Sequence, residues 1–195
     1  MYKRQELRSH IASEHPDLPV VLIGHSMGGL IAARTVLDAA TDYQTLILTG
    51  PLLGVPTPPP AWQTWLLRTL SALFPAAKAL EIDASAVSRD QAVVDDYVAD
   101  PLVHHENIPA RTVVSLFDEA SAVLGRASEI SLPTLLLHGE EDVLTSVPAS
   151  RQFMADLSAT DKHITVYPGM YHELFNEPEK EDIIRTCLDW IATRL

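Results

Sequence analysis

The 195-residue sequence predicts an α/β fold, a parallel sheet flanked by helices and interrupted by one helical insertion. Three observations predict it. Short apolar runs occur that do not alternate with polar residues, as strands buried on both faces require. Helical patterns separate these runs, and strand alternating with helix is the signature of βαβ units. One long stretch, residues 51–124, carries helical spacing and no convincing strand.

Three such runs are Val20-Val21-Leu22-Ile23, Thr45-Leu46-Ile47-Leu48 and Thr134-Leu135-Leu136-Leu137, and a fourth apolar run is His163-Ile164-Thr165-Val166-Tyr167. Each ends at a glycine or a glycine-containing turn, at Gly24, Gly50, Gly139 and Gly169. Leu30, Ile31, Val36 and Leu37 give the first run a following helix, and residues 147–157 give the third one. Ile183, Ile184, Cys187, Leu188, Ile191 and Leu195 form the apolar stripe of a last helix. Glu179, Glu181 and Asp182 fall in its first turn and Arg194 is expected in its last, matching the helix dipole.

The insertion opens with Pro51, Pro56, Pro58, Pro59 and Pro60, a stiff connection. Three helical faces follow. Trp62, Trp65, Leu66, Leu70, Leu73 and Phe74 line the first; Val93, Val94, Tyr97 and Val98 the second; Val113, Val114, Phe117, Ala120 and Leu124 the third. The plain expectation is that these faces pack against the rest of the chain. The sharper one is that some surround an acyl chain or touch lipid.

Composition narrows the function classes. With 14 basic against 26 acidic residues the chain carries −12, which disfavours nucleic acid and anionic membrane as electrostatic partners. No run approaches the roughly 20 apolar residues of a membrane-spanning helix. The single Cys187 has no partner for an intrachain disulfide and reads as a small core residue.

Chemistry enters at Gly24-His25-Ser26-Met27-Gly28-Gly29, directly after the first run and before a helix. G-x-S-x-G between strand and helix is the nucleophile-elbow pattern, although the pattern alone also occurs in structural turns. So tight a turn strains Ser26, and side chains at Gly24 or Gly28 are expected to collide with it or with the neighbouring strand. The turn presents Ser26 Oγ at the carboxyl end of the sheet. The Met27 N–H, at the helix start, then points where an oxyanion would form.

A lone serine is a poor nucleophile at neutral pH and needs a base that is itself oriented by an acid. On this architecture they follow later strands in the order Ser, acid, His. His138-Gly139-Glu140-Glu141-Asp142 follows the third run and Pro168-Gly169-Met170-Tyr171-His172 the fourth. Asp142 is the preferred acid because its short side chain sits furthest along the loop; Glu140 and Glu141 are the alternatives. His172 is the one histidine that follows a strand at the right point in the order. His138 precedes the acid and is expected to pack or bond locally. His25 is expected to point away from the serine. His104 and His105 lie in the insertion, where adjacent residues converge poorly on a metal. His10, His15 and His163 read as surface or core.

These residues resemble the monoacylglycerol lipase and lysophospholipase branch of the α/β-hydrolases, often labelled a serine aminopeptidase domain. The elbow, the acid loop Leu137-His138-Gly139-Glu140-Glu141-Asp142 and the histidine loop Tyr171-His172-Glu173-Leu174-Phe175-Asn176-Glu177 carry the resemblance. Ser88-Arg89-Asp90, with Asp100-Pro101-Leu102 downstream, looks like the branch's lid segment. Position by position, the resemblance implies that Ser26 is the nucleophile, Asp142 orients, His172 is base and then acid, and Met27 gives one oxyanion-hole N–H. It implies an acyl ester or lipid substrate, no metal, no cofactor, a lid over residues 51–124 that touches membrane transiently, and a cytoplasmic or peripheral-membrane location. An aminopeptidase, another esterase or thioesterase, and a non-catalytic relative stay open as alternatives.

The resemblance also implies something about length. Members of the branch begin with several strands ahead of the elbow, whereas one short helix is legible here. The expectation is that residues 1–195 form the C-terminal half of the hydrolase fold, with the N-terminal strands missing. The first run would then be an uncovered edge. The loop giving the second oxyanion N–H would also be absent, and losing one such donor costs roughly 2.7–4 kcal/mol in barrier. Met1-Tyr2-Lys3-Arg4-Gln5 resembles a translated transposon end, so residues 1–5 are expected to be non-native, the alternative being a native basic N-terminus.

Overall fold

A computed structural model describes the chain from residue 2 to residue 195, with side chains from Glu6 onward. The expectation placed on residues 1–5 lies outside the described side chains. Helix α1 (Tyr2–Glu14) leads into strand β1 (Val21–His25), helix α2 (Met27–Ala39) and strand β2 (Thr45–Thr49). The insertion follows, with α3 (Ala61–Leu73), β3 (Lys78–Leu80), α4 (Gln91–Ala99), β4 (Ile108–Pro109) and α5 (Ala110–Gly125). The chain then returns through β5 (Thr134–Gly139), α6 (Val147–Asp156), β6 (Lys162–Tyr167) and α7 (Lys180–Ala192).

The main sheet has the order β1-β2-β5-β6 and is parallel throughout. Its central strands explain why the apolar runs do not alternate. Side chains leave a strand on alternate faces. Leu46, Leu48 and Leu136 pack with Leu30, Val36, Phe153 and Met154 on one face. Ile47, Leu135 and Leu137 pack with Leu174, Ile183 and Cys187 on the other. Both faces are covered, so every position along β2 and β5 is buried. Burial also pushes the Cys187 thiol up to about 11.

β1 is an edge strand. Ile23 on it is half exposed, and Leu18, Met27 and Ile31 nearby are exposed as well.

The insertion departs from its expectation in two ways. It contains strands: β3 and β4 pair antiparallel, Lys78 opposite Pro109 and Leu80 opposite Ile108. These strands are three and two residues long, and β3 is exposed along its length. They therefore carry no apolar period to read. Second, the α3 face does not pack inward. Trp62, Trp65, Leu66, Leu73 and Phe74 are all more than half exposed, while Ser71 is buried instead. The face of α5 does pack, through Val113, Ala120 and Val123.

Arg194 lies beyond the last turn of α7 rather than in it. Its guanidinium caps the helix from outside, donating to Trp190 O at 2.9 Å and pairing with Asp161 at 2.7 Å.

Candidate active site

Between the end of β1 and the start of α2 there is a single residue, Ser26. Its φ of 53° makes it the one non-glycine at positive φ among the described residues. That conformation costs on the order of 1–3 kcal/mol and persists only where the surroundings enforce it. A Cβ at Gly24 would sit 2.5 Å from Gly28 O, so β1 and α2 meet there without room for a side chain. The expectation for Gly28 is corrected. A Cβ at Gly28 would meet open space, whereas one at Gly29 would sit 2.8 Å from Pro51 Cβ. The close contact at Gly28 is made by its carbonyl, which the sequence pattern does not distinguish from a missing side chain. Met27 heads α2, so its N–H belongs to the first turn and has no acceptor within the helix.

Asp142 and His172 come together from the loops after β5 and β6. Their approach depends on Gly139, where a Cβ would lie 2.0 Å from Tyr171 O. Glu141 N donates to Met170 O at 3.0 Å and ties the two loops. His172 Nδ1 lies 2.7 Å from Asp142 Oδ2, with both residues buried. Asp142 Oδ1 accepts from Leu144 N at 2.8 Å and Thr145 N at 2.9 Å. Burial by itself would raise the Asp142 pKa. The hydrogen bonds from His138, His172 and the Thr145 backbone outweigh it and hold the carboxyl well below the usual range. An ionised carboxylate only accepts, so His172 Nδ1 carries the proton and Nε2 keeps its lone pair. Glu140 and Glu141, the alternative acids, are exposed.

Gly50 is the piece that the sequence reading did not single out. It follows β2, and register pairs His25 with Thr49, which sets Ser26 beside Gly50 one strand spacing away. Gly50 has φ 47°, and a Cβ there would sit 3.2 Å from His172 Nδ1 and 3.4 Å from Asp142 Oδ2. The backbone at Gly50 is thus the floor between Ser26 and the Asp142–His172 pair. Positive φ at a strand end is a glycine signal, and the sequence contained it only as a strand terminator.

His25 departs from its expectation. Its ring lies against His172, with centroids 4.7 Å apart. The cause is Thr49, whose carbonyl lies 3.0 Å from His25 Nδ1 and also accepts from Ser26 N. Burial and the neighbouring His172 pull the His25 pKa from 6.5 down to about 4.

The histidine loop is also tied to the insertion. Glu177 is buried and pairs with Arg89. Its Oε1 accepts from the backbone N–H of Arg89 at 3.2 Å and of Tyr171 at 3.1 Å. Ser88 Oγ donates to Asn176 O at 3.0 Å and Glu173 N to Val87 O at 2.8 Å. The insertion has a cavity of its own, about 530 Å³, lined by residues including Glu81, Tyr97, His104 and His105.

A family model described as "Serine aminopeptidase, S33" matches residues 5–179. The chain belongs to this family. Within it, the chain is 36% identical over 184 residues to a monoacylglycerol lipase of Mycolicibacterium smegmatis, covering 94% of this chain and 66% of that protein. It is 30% identical to the monoglyceride lipase of Rattus norvegicus, covering 95% of this chain and 62% of that protein. The crystal structure of the Paleococcus ferrophilus monoacylglycerol lipase superposes with a TM-score of 0.84 at 29% identity, over 98% of this chain and 76% of that one. The chain thus spans a little under two thirds of the curated relatives it matches. Its four-stranded parallel sheet with a helical insertion is part of the α/β-hydrolase fold. The S33 family model leaves out residues 180–195, which hold all of α7, although Ile183 and Cys187 complete the second core there.

Proposed function

We propose that this chain carries the catalytic residues of a serine hydrolase for carboxylic esters, with monoacylglycerol-like or lysophospholipid substrates. The observation that carries the reading is the 2.7 Å His172–Asp142 hydrogen bond beside a serine held at positive φ. Ser26 Oγ attacks the ester carbonyl while His172 Nε2 takes its proton. The Met27 N–H receives the oxyanion charge, Asp142 stabilises the imidazolium, and the alcohol leaves with the proton from His172. Water then enters by the same route and frees the acid. The residues present supply nucleophile, base and charge stabilisation, so the reading assigns no step to a metal or cofactor.

The names of the relatives favour a lipid ester, and so does α3. Its exposed row of Trp62, Trp65, Leu66, Leu73 and Phe74 suits an acyl chain or an uncharged lipid surface. Among the described residues no helix is long and apolar enough to cross a membrane. The net charge of −12 favours zwitterionic over anionic lipid.

A fluorophosphonate probe tests the assembled site: labelling that disappears in Ser26→Ala supports it, and equal labelling of both proteins overturns it. The family description keeps one rival in play, cleavage at a free amino terminus. Comparing p-nitrophenyl esters of increasing chain length with an aminoacyl anilide separates the two, and preference for the anilide would displace the ester reading.

A further inference from the structure

Asp142 Oδ2 accepts more hydrogen bonds than a Ser-His-Asp triad needs. Besides His172 it meets Thr145 Oγ1 at 2.7 Å and a second imidazole, His138 Nε2, at 3.1 Å. His138 is fully buried at the end of β5, one helical turn's spacing from Asp142 in sequence. Its other nitrogen, Nδ1, lies 3.0 Å from the hydroxyl of Ser150, itself buried on α6. The proton positions follow from the partners. His138 Nε2 also lies 3.1 Å from Thr145 Oγ1, which itself meets Asp142; facing a carboxylate that accepts only, Nε2 carries the proton and donates. Nδ1 is then unprotonated and accepts from Ser150 Oγ–H.

One carboxylate oxygen is therefore shared between two imidazoles. We propose that His138 is a positioning residue for the hydrolytic site: by donating to the same Asp142 oxygen as His172, with Ser150 orienting it, it weakens the hold of Asp142 on the His172 proton. The inference rests on the reading of His172 as the base. The sign follows from electrostatics. The Nε2–H dipole of His138 presents its positive end to the site, so it opposes the positive charge that His172 acquires on protonation. Asp142 does not need His138 to stay in place, because the two backbone N–H groups and Thr145 Oγ1 already hold it. Among the described residues His25 also lies against His172, and Glu173 beside it in sequence has its carboxylate held by Asn176. A base that lets go of its proton more readily is a larger fraction unprotonated near neutrality, where Ser26 needs it.

The test uses the full chain with ¹⁵N-labelled histidine. The His172 midpoint is read by NMR titration, and fluorophosphonate labelling rates are measured across the same pH range. In His138→Leu combined with Ser150→Ala, the midpoint of His172 is expected to rise by about half a unit to one unit. Labelling should then slow roughly 3- to 10-fold on the acid side and be unchanged on the alkaline side. His138→Gln, whose amide N–H reaches the same oxygen, should restore the midpoint; a purely space-filling role predicts no such rescue. Ser150→Ala alone should move the midpoint the same way by less, which keeps the test available if the double variant does not fold. A midpoint that stays put or falls in these variants overturns the inference. A normal midpoint shift in a protein that never labels would instead overturn the hydrolase reading and leave the His138 effect standing.

Discussion

The ends of β2, β5 and β6 and the helix α3 use apolar and polar residues in opposite ways. At the strand ends, Asp142 and His172 are buried, and both Asp142 oxygens are satisfied by named donors. On α3, two tryptophans, two leucines and a phenylalanine stand in solvent while Arg68 pairs with Asp118 of α5. The first region is over-determined: Ser26 and Gly50 hold positive φ because several contacts enforce it. The second is tied to α5 through Arg68 and Asp118 and keeps its apolar face for something else. A change at the strand ends should therefore alter chemistry or stability, and a change on the α3 face should leave stability and the hydrolysis of a short soluble ester unchanged.

The largest effect belongs at Ser26. Ser26→Ala should reduce turnover on the order of 10⁶-fold, and Asp142→Asn on the order of 10⁴-fold. For Ser26→Ala, circular dichroism and the urea midpoint should stay close to those of the parent. If Ser26→Ala kept measurable esterase turnover, the strand ends would lose their claim to the chemistry.

Glu177 tests the tie between the insertion and the histidine loop. Glu177→Ala leaves two backbone N–H groups and Arg89 Nε short of an acceptor, while Glu179 still pairs with the guanidinium, at a cost of about 2–4 kcal/mol in urea denaturation. Arg89→Met leaves the buried Glu177 carboxylate with two backbone donors and no cation, so it should be destabilising as well. A parent-like urea midpoint in either variant would mean that the pair does not act as described.

His25 gives the strand ends a pH signature. Its folded pKa is about 4 and its unfolded value 6.5, so between these values the unfolded state binds more protons. Its contribution is fully present above pH 6.5 and is lost as the pH falls toward 4. A displacement of this size is worth about 3 kcal/mol. Urea midpoints at pH 7.5 and 4.5 measure it, and His25→Asn, which keeps a donor for Thr49 O, should flatten the difference. The same slope in both proteins would assign it to other groups.

Much of this was legible in the sequence, and the failures have physical causes. Short apolar runs identified β1, β2, β5 and β6, and the two strands buried on both faces, β2 and β5, show no alternation. The order of Ser26, Asp142 and His172 along successive loops pointed to one edge of the sheet, and the structure brings Asp142 and His172 into contact there. Side-chain direction was not legible. His25 turns toward His172 because a carbonyl from the neighbouring strand captures it, and that neighbour is known only once the sheet order is known. The sharing of Asp142 by His138 depends in the same way on Ser150, on a different element. The β3–β4 pair is too short and too exposed to leave a period.

The smallest stability effect and the sharpest contrast meet on α3. Trp65 is about two-thirds exposed, so Trp62→Ser with Trp65→Ser removes little buried area. Each change should move the unfolding free energy by no more than about 0.5 kcal/mol. Hydrolysis of a short, soluble p-nitrophenyl ester should be unaffected, because neither residue contacts Ser26, Asp142 or His172 through any bond described above. Sedimentation with zwitterionic vesicles should fall several-fold, and so should turnover of a long-chain ester. If vesicle binding and long-chain turnover persist unchanged, the exposed row is not a lipid-facing surface and its exposure needs another cause. If the short ester is affected too, α3 reaches the strand ends and the two regions are not independent.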